Sequence, residues 1–234
     1  MNIKLNNKAI HLILLISWLV FIFVFIVTGK LGIFINKAYT PFSLITLIII
    51  SALILNILND DHASHHPADF RLLIAFLFPL ILFLLVRPDT LSTFLLTKRN
   101  LVSNVKVSNA ELANILETQV QQEGQYKDLS IKQLLALSEQ EPLKANNMKV
   151  SAEGMVFKSG TEGTFTLVRF FMWCCAADAQ PMGIPTVWSK SNDLTQDKWV
   201  RVYGTISAGP NGTKIIADEI TPIPTPPPDD QYLY

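Results

Sequence analysis

The sequence contains few cysteines, few charges and none of the common enzyme motifs. Of its 234 residues 16% are charged, 4 are histidines and 2 are cysteines, and the formal net charge is zero. A Walker loop, a Rossmann glycine fingerprint, an HExxH helix and a GxSxG elbow are all absent, which excludes the enzyme classes that depend on them. The two cysteines are adjacent, so a CxxC metal or redox motif is excluded as well.

Hydrophobic residues are abundant but unevenly distributed. They make up 50% of the chain, and Leu, Ile, Phe and Val dominate the sequence up to about Leu96. After Lys98 the composition is that of an ordinary soluble domain. Because an average over such a chain describes neither part, the two parts are interpreted separately.

The first apolar run predicts a membrane span at 9–28. It reads AIHLILLISWLVFIFVFIVT and contains no charged residue. At about 1.5 Å per residue, a helix of this length matches a hydrocarbon core of roughly 30 Å. The alternative is a cleavable signal peptide, whose apolar core of about 7–15 residues ends in small residues. Here the run is longer and continues into TGKLGIFINK, which favours a span.

Two further apolar runs predict spans at 41–58 and 70–87. The second run begins with Pro41, a residue suited to the first turn of a helix. The third is shorter and carries Pro79 near its middle, so a re-entrant or interfacial segment is its alternative. We therefore predict a multi-pass protein of the cell membrane with about three spans. The lysines and arginines that flank these spans favour a cytoplasmic C-terminal domain.

A histidine-rich loop, NDDHASHHPADFR, lies between the second and third runs at residues 59–71. Its histidines, His62, His65 and His66, are spaced so that a helix would place them on one face, and three aspartates are nearby. Imidazole and carboxylate ligands suit zinc and its first-row neighbours, which predicts a loop that collects or senses a divalent metal. The alternative is a polar connector, because a histidine-rich tract is only a compositional signal.

A polar connector at 101–127 precedes the C-terminal domain. Ser108 or Asn109 is suited to cap an amphipathic helix over 110–122, whose apolar residues form one stripe. A second short helix is predicted to follow Ser130, which is also a good N-cap residue.

Five segments with alternating apolar and polar residues predict β-strands between residues 128 and 223. Glycines inside the first and fourth strands suit the sharp bends of a small barrel. We therefore predict a membrane α-helical N-terminal region followed by an all-β, OB-like five-stranded barrel with a short helix at one end. A proline-rich tail at 224–234 completes the predicted domain organisation.

An OB-like barrel raises the question of nucleic-acid binding. From Lys127 to Tyr234 the chain carries ten Lys and Arg against twelve Asp and Glu. Binding to a phosphate backbone depends on a basic surface, and this domain is slightly acidic. Nucleic acid is therefore excluded as a predicted partner.

The two cysteines fall in the stretch RFFMWCCAADAQP, residues 169–181. Because alternation extends the second predicted strand to Cys175, we expect Cys174 and Cys175 to point to opposite faces. A disulfide between them would strain such a backbone. One cysteine close to Asp178 is able to ligate a soft or borderline metal. The alternative is that both are small, buried side chains.

Several motifs occur in an order that resembles a known family. They are TGKLGIFINKAYTPF, PLILFLLVRPDTLSTFLLTKRN, DLSIKQLL, RFFMWCCAADAQPMGIPTVW and WVRVYGTI, with QYLY at the end. The chain resembles the YcgQ-like family of bacterial permease subunits over nearly its whole length. The resemblance implies that a separate multi-span permease is the partner, and it implies a link to metal homeostasis. The family pattern maps onto Cys174, Cys175 and Asp178, which favours a site over simple packing.

Together these patterns predict a non-enzymatic membrane protein that acts as an accessory subunit of a two-component permease. Its predicted partners are the lipid bilayer and a multi-span permease protein. A divalent metal ion such as zinc is expected at Cys174, Cys175 and Asp178, with the three loop histidines as further candidate ligands. Two alternatives stay open: a thiol redox relay, which needs an accessible thiolate of low pKa, and a scaffold whose barrel binds another protein.

Overall fold

The computed structural model of the protein describes residues 7–59, 74–81, 101–102, 105–117, 126–158, 160–209 and 212–234. The chain divides into two compact units, Met1–Thr90 and Leu91–Tyr234. We call them the helical unit and the β unit, and each is described by itself.

Two long helices dominate the helical unit. Helix α1 covers Asn7–Val27 and helix α2 covers Thr40–Asn59, and short 3₁₀ helices connect them. Gly29 follows α1 at φ 67°, a left-handed conformation that suits glycine at the end of a helix. The Lys8 ammonium donates to the carbonyl of Leu58 at 3.3 Å. The start of α1 therefore lies beside the end of α2, and the two helices are antiparallel.

Both α1 and α2 are long and apolar enough to cross a membrane. The candidate spans are Lys8–Val27 and Lys37–Asn59, of 20 and 23 residues, and about 20 apolar residues are sufficient for a transmembrane helix. Large apolar side chains face outward, and Ile48 for example is 69% exposed. Such a surface suits lipid better than water. The predictions at 9–28 and 41–58 are thus confirmed as apolar helices of membrane-spanning length.

The third predicted span, at 70–87, falls largely outside the described residues. Residues 74–81 form a helix, α3, but the ends of the predicted segment at 70–73 and 82–87 are not among the described residues. The number of three spans therefore stays a prediction.

Helix α5, Ile131–Gln140, forms where the sequence predicts a short helix after Ser130. The Ser130 hydroxyl accepts from the N–H of Gln133 at 3.2 Å, and the Gln133 side chain accepts from the N–H of Ser130 at 2.9 Å. This reciprocal capping box satisfies two donors at the start of the helix. Leu134 and Leu137 are fully buried, so the apolar side of α5 belongs to the core of the β unit.

Two other helices belong to the β unit. Helix α4 covers Asn109–Glu117, and the Ser108 hydroxyl caps it by accepting from the N–H of Glu111 at 3.2 Å. The predicted continuation of this helix to residue 122 lies outside the described residues. Helix α6 covers Pro142–Ala145 and has its proline in the first turn, where the missing N–H costs nothing.

In the described residues of the β unit, seven strands form one mixed sheet in the order β1-β2-β5-β6-β4-β3-β7. Five of them are 8–11 residues long, whereas β1 and β7 contain two residues each. The bounds are β1 Lys127–Asp128, β2 Lys149–Phe157, β3 Thr164–Phe171, β4 Gln180–Val187, β5 Trp199–Gly209, β6 Gly212–Pro222 and β7 Tyr232–Leu233.

The five long strands are paired in a ring. Strand β2 pairs antiparallel with both β5 and β3, while β5 pairs with β6 and β3 pairs with β4. A short parallel pairing between β4 and β6, Thr186 with Ile215 and Val187 with Ile216, completes the ring. Where a five-stranded barrel was predicted, the structure contains five long strands that pair in a partial ring within the mixed sheet. The assignment of this ring as OB-like stays a prediction.

A glycine allows two strands of the ring to approach closely. A Cβ atom at Gly204 in β5 would lie 2.3 Å from the carbonyl oxygen of Ile216 in β6. The pairing register shifts between Tyr203 and Gly204, as expected where glycine marks an irregularity in a strand. Apolar side chains from the ring and from α5 fill the core of the unit; among them are Leu134, Leu167, Ile184, Val202 and Ile206.

The two short strands were not predicted from the sequence. Strand β7 pairs in parallel with β3, Tyr232 with Phe170 and Leu233 with Phe171. The segment predicted as a proline-rich tail, 224–234, therefore ends as a strand of the sheet. Two residues are too few to show an alternating pattern, which is why the sequence gives no strand signal there.

Candidate functional site: the thiol turn

The two cysteines lie in the connection between β3 and β4. Phe171 and Gln180 form the last pair of these strands, and residues 172–179 connect them. We call this connection the thiol turn. Its first and last residues are fully buried, whereas Cys174 near its middle is exposed. The turn is therefore anchored at both ends and accessible from solvent between them.

The expectation that the cysteines point to opposite faces is wrong. The second predicted strand was extended to Cys175, but β3 ends at Phe171 and the backbone bends at residues 173–174. The sulfur atoms of Cys174 and Cys175 are 3.7 Å apart. The reason for the error is physical, since side chains alternate between faces only while a strand continues.

Asp178 determines the shape of the thiol turn. Its Oδ1 accepts from the N–H of Trp173 at 3.0 Å, and its Oδ2 accepts from the N–H groups of Cys174 at 2.8 Å and Cys175 at 3.2 Å. The 3₁₀ helix Ala176–Asp178 places the carboxylate in this position. Hydrogen bonds to an ionised acceptor are stronger than neutral ones. The protein's own backbone therefore holds the turn in shape.

Asp178 and the thiol of Cys174 shift each other's pKa. The hydrogen bond from the Cys174 thiol lowers the pKa of Asp178, and the backbone N–H donors of the turn add to this effect. Conversely, the bond to the Asp178 carboxylate raises the pKa of Cys174 to about 12, and the neighbouring thiol of Cys175 contributes. The carboxylate stabilises the thiol that donates to it and repels the thiolate. Without a cation, Cys174 is a protonated thiol at neutral pH.

The three side chains present metal-ligand atoms to one small volume. One sulfur from each cysteine and one oxygen of Asp178 all lie within 4.8 Å of one another. For Zn–S bonds of about 2.3 Å, the sulfur separation of 3.7 Å corresponds to an S–Zn–S angle of about 107°. This angle is close to tetrahedral. Of the three backbone donors to Asp178, Oδ1 accepts one and Oδ2 accepts two, so Oδ1 has more capacity for a third ligand bond.

A disulfide between the two cysteines is disfavoured by the chain itself. Both thiols are free. Consecutive Cα atoms lie about 3.8 Å apart across a trans peptide bond, whereas disulfides usually join Cα atoms roughly 4.4–6.8 Å apart. The adjacent pair is therefore better suited to act as a dithiol than to form a bridge.

Of the six residues predicted as metal ligands, the structure brings three together, namely Cys174, Cys175 and Asp178. The other three belong to the loop at 59–71, in the part of the chain outside the described residues: His62, His65 and His66. Metal binding at either set remains a prediction.

Two residues that border or anchor the thiol turn were missed from the sequence. The side chain of Trp173 is 69% exposed, although it follows a run of buried apolar residues. The carbonyl of Leu233 accepts from the N–H of Met172 at 2.9 Å, which fixes the start of the turn. Trp173 is exposed because β3 ends two residues before it, at Phe171. The bond between Met172 and Leu233 joins distant parts of the chain. Local sequence patterns therefore indicate neither the exposure nor the bond.

The C-terminal part of the chain matches one domain-family model. Residues 133–234 match the family model described as the DUF1980 C-terminal domain. This match includes the thiol turn and strands β2 to β7, and it does not include the helical unit. No curated protein matches the chain.

Several solved structures have limited similarity to parts of the chain. The hypothetical protein ygiW from E. coli is 12% identical, with 43% of this chain and 100% of that chain covered and a TM-score of 0.29. The OBody AM1L10, solved bound to hen egg-white lysozyme, is 14% identical; the match covers 34% of this chain and 83% of that chain, with a TM-score of 0.25. For the S. pombe Stn1–Ten1 complex the identity is 12%, the coverages are 32% and 57%, and the TM-score is 0.23. At these TM-scores the similarities carry no argument about fold or function.

Proposed function

We propose that this chain is an accessory subunit of a two-component membrane permease and that its thiol turn binds a divalent cation such as Zn²⁺. The metal part rests on one observation, the convergence of two thiols and a carboxylate within 4.8 Å. The permease part rests on the sequence resemblance to permease subunits and on two apolar helices of membrane-spanning length. In this proposal the protein is a multi-pass protein of the cell membrane.

The donor set supports a thiophilic cation. Thiolate ligands suit zinc and softer ions, whereas Mg²⁺ and Ca²⁺ require six or more oxygen ligands. Two thiolates and one carboxylate carry three negative charges in a small volume, and a cation offsets their mutual repulsion. Because the Asp178 carboxylate raises the pKa of Cys174 and so favours its protonated thiol, a bound cation takes the place of that proton. Metal binding therefore releases protons.

The geometry at Cys174 argues against this residue as the reactive thiol of a redox relay. A catalytic thiol needs a low pKa, usually supplied by a nearby cation, a base or a helix N-terminus. At Cys174 the nearest charge is the carboxylate of Asp178, which raises the thiol pKa to about 12. For this reason we propose ion binding rather than thiol chemistry as the function of the turn.

The metal part is tested by Zn²⁺ affinity of the full chain in detergent, measured by competition with a chromophoric chelator. We expect one Zn²⁺ per thiol turn in the wild type and loss of this binding in the Cys174→Ser/Cys175→Ser variant. Asp193→Asn is the matched control, because Asp193 is an exposed aspartate that ends another 3₁₀ helix. Equal affinity of the wild type and the double-serine variant contradicts the metal part.

A second variant separates the thiol turn from the histidine loop. In the His62→Asn/His65→Asn/His66→Asn variant we expect the Zn²⁺ bound with highest affinity to remain. Loss of that ion in this variant, with retention in the double-serine variant, would move the proposed site from the thiol turn to the loop.

The permease part is tested by extraction of the full chain from its native membrane in a mild detergent. We expect it to migrate together with a multi-span membrane protein in a fixed ratio. Migration without a stoichiometric multi-span partner contradicts the permease part and leaves the metal part intact.

A further inference from the structure

The thiol turn has the properties of a site that passes its ion on, an inference that rests on the proposed ion binding. We infer that an ion held by Cys174, Cys175 and Asp178 keeps its fourth coordination position open, and that an imidazole or thiolate of an incoming ligand occupies this position during transfer. The chemical class of that ligand follows from the ion, since zinc and its neighbours prefer nitrogen and sulfur donors.

The number of available ligands is the first argument for an open fourth position. Structural zinc sites use four protein ligands, whereas reactive sites use three and leave the fourth position to water or substrate. In the part of the chain that the structure describes, the ligand group at the thiol turn has three members. The chain has only two cysteines and both belong to this group. A further thiolate must therefore come from another molecule.

The accessibility of the turn carries the second step. Cys174 is exposed and Cys175 is partly exposed, and the neighbouring Trp173 side chain is 69% exposed. The open coordination position therefore has a path to solvent. An incoming ligand is able to reach the ion before the ion leaves its sulfur ligands.

The independence of the turn from the ion carries the third step. The three hydrogen bonds from the backbone N–H groups to Asp178 shape the turn without a metal, and its buried ends connect it to β3 and β4. In many small metal domains the binding free energy is also the folding free energy. Here the ion is able to enter and leave while the turn keeps its shape, as transfer requires.

The fourth argument for ion transfer is that the Asp178 carboxylate oxygens already accept hydrogen bonds. Oδ2 of Asp178 already accepts two N–H bonds, whereas Oδ1 accepts one. The carboxylate is therefore able to ligate the ion through one oxygen. The oxygen available to the ion, Oδ1, also accepts the Trp173 N–H. Such an oxygen binds the ion less firmly than a thiolate or an imidazole in its place would, which again favours exchange.

The test uses Co²⁺ as a spectroscopic probe in the full chain in detergent. We expect thiolate-to-cobalt charge-transfer absorption in the wild type and in Asp193→Asn, but not in Cys174→Ser/Cys175→Ser. Added imidazole should change the ligand-field bands in a saturable way while the charge-transfer absorption is retained. Ligand-field bands that do not respond to imidazole indicate a closed site and overturn this inference alone. Absence of charge-transfer absorption in the wild type overturns the proposed metal binding as well.

A kinetic measurement tests the same inference without variants. Zn²⁺ is loaded onto the full chain, and its transfer to a chromophoric chelator is followed at several chelator concentrations. An open fourth position predicts that tenfold more chelator gives about tenfold faster initial transfer, because the chelator coordinates the ion before it dissociates. A rate that is independent of chelator concentration shows that the ion must dissociate first, and this result overturns the inference.

Discussion

The two units of the chain use the same apolar side chains toward opposite surroundings. In the helical unit Leu53 is 47% exposed, whereas Leu134 in the β unit is 0% exposed. The long helices satisfy their backbone hydrogen bonds internally and present apolar residues outward, as a lipid environment requires. The ring of strands instead encloses its apolar residues away from water. The comparison shows that segment length and periodicity, rather than hydrophobicity alone, distinguish the outward-facing apolar residues of the helices from the core residues of the β unit.

The same leucine-to-alanine change in each unit gives the largest expected contrast. Leu134→Ala removes a fully buried side chain and should lower the free energy of unfolding of the β unit by about 2–5 kcal/mol. Leu53→Ala should leave the unfolding of the β unit unchanged. The measurement is urea unfolding of the full chain in detergent, followed by tryptophan fluorescence, since three of the four tryptophans lie in the β unit. An equal loss of unfolding free energy in the two variants would contradict the distinction between core and outward-facing leucines.

Glycine substitutions test how closely the ring strands are packed. Gly204→Ala should destabilise the β unit by about 3 kcal/mol, because the new Cβ would lie 2.3 Å from the carbonyl oxygen of Ile216. Gly209→Ala in the same strand is the control, since apart from its chain neighbours no atom of the described residues lies within 4 Å of its Cβ position. The same urea unfolding curves measure both variants. A Gly204→Ala protein as stable as Gly209→Ala would show that β5 and β6 are less tightly packed than described.

Serine substitutions compare a helix cap in the β unit with a hydroxyl in the middle of a helix of the helical unit. Ser130→Ala removes the capping hydroxyl of α5 and should cost about 1 kcal/mol of stability in the β unit. Ser51→Ala in α2 removes a hydroxyl that bonds to the carbonyl of Leu47 within its own helix. This control should leave the unfolding of the β unit unchanged. A neutral Ser130→Ala variant would indicate that water replaces the cap.

The last prediction concerns the protonation of Cys174 in the thiol turn, which should have the smallest effect on the stability of the fold. The Asp178 carboxylate is the largest cause of the raised pKa of Cys174, and it is kept when Cys175 is replaced by serine. Alkylation of Cys174 by iodoacetamide should therefore be slower at pH 8–9 than that of an unperturbed thiol, whose pKa is about 8.5. The rate should increase as the pH rises further and the thiolate forms. The measurement is the alkylation rate of Cys174 against pH in the metal-free Cys175→Ser variant, with a model thiol as reference. Fast alkylation at pH 7 would favour the redox relay over ion binding.

Local sequence patterns account for most of the elements but not for the shape of the site. The apolar runs at 9–28 and 41–58, the cap at Ser130 and the five long strands all depend on neighbouring residues, and the structure contains each of them. The pairing of β7 with β3 depends on residues far apart in the chain. Such pairing leaves no local pattern to detect.

Asp178 illustrates how a site residue is found while its main role is missed. Its proximity to two cysteines in the sequence is enough to predict a metal ligand. Its three bonds to backbone N–H groups depend on the end of β3 at Phe171, which the apolar run FFMW conceals. The sequence therefore predicts the candidate ligand set, and the structure adds that Asp178 also organises the turn.

The hydrogen bond between Met172 and Leu233 has a consequence for biosynthesis. Residues 232–233 follow all five ring strands in the chain and therefore leave the ribosome after them. Until that moment β3 lacks its parallel neighbour, and the first residue of the thiol turn lacks its backbone partner. The cysteines are thus translated well before their surroundings are complete, and the thiol turn reaches its finished geometry only after residue 233 has been translated.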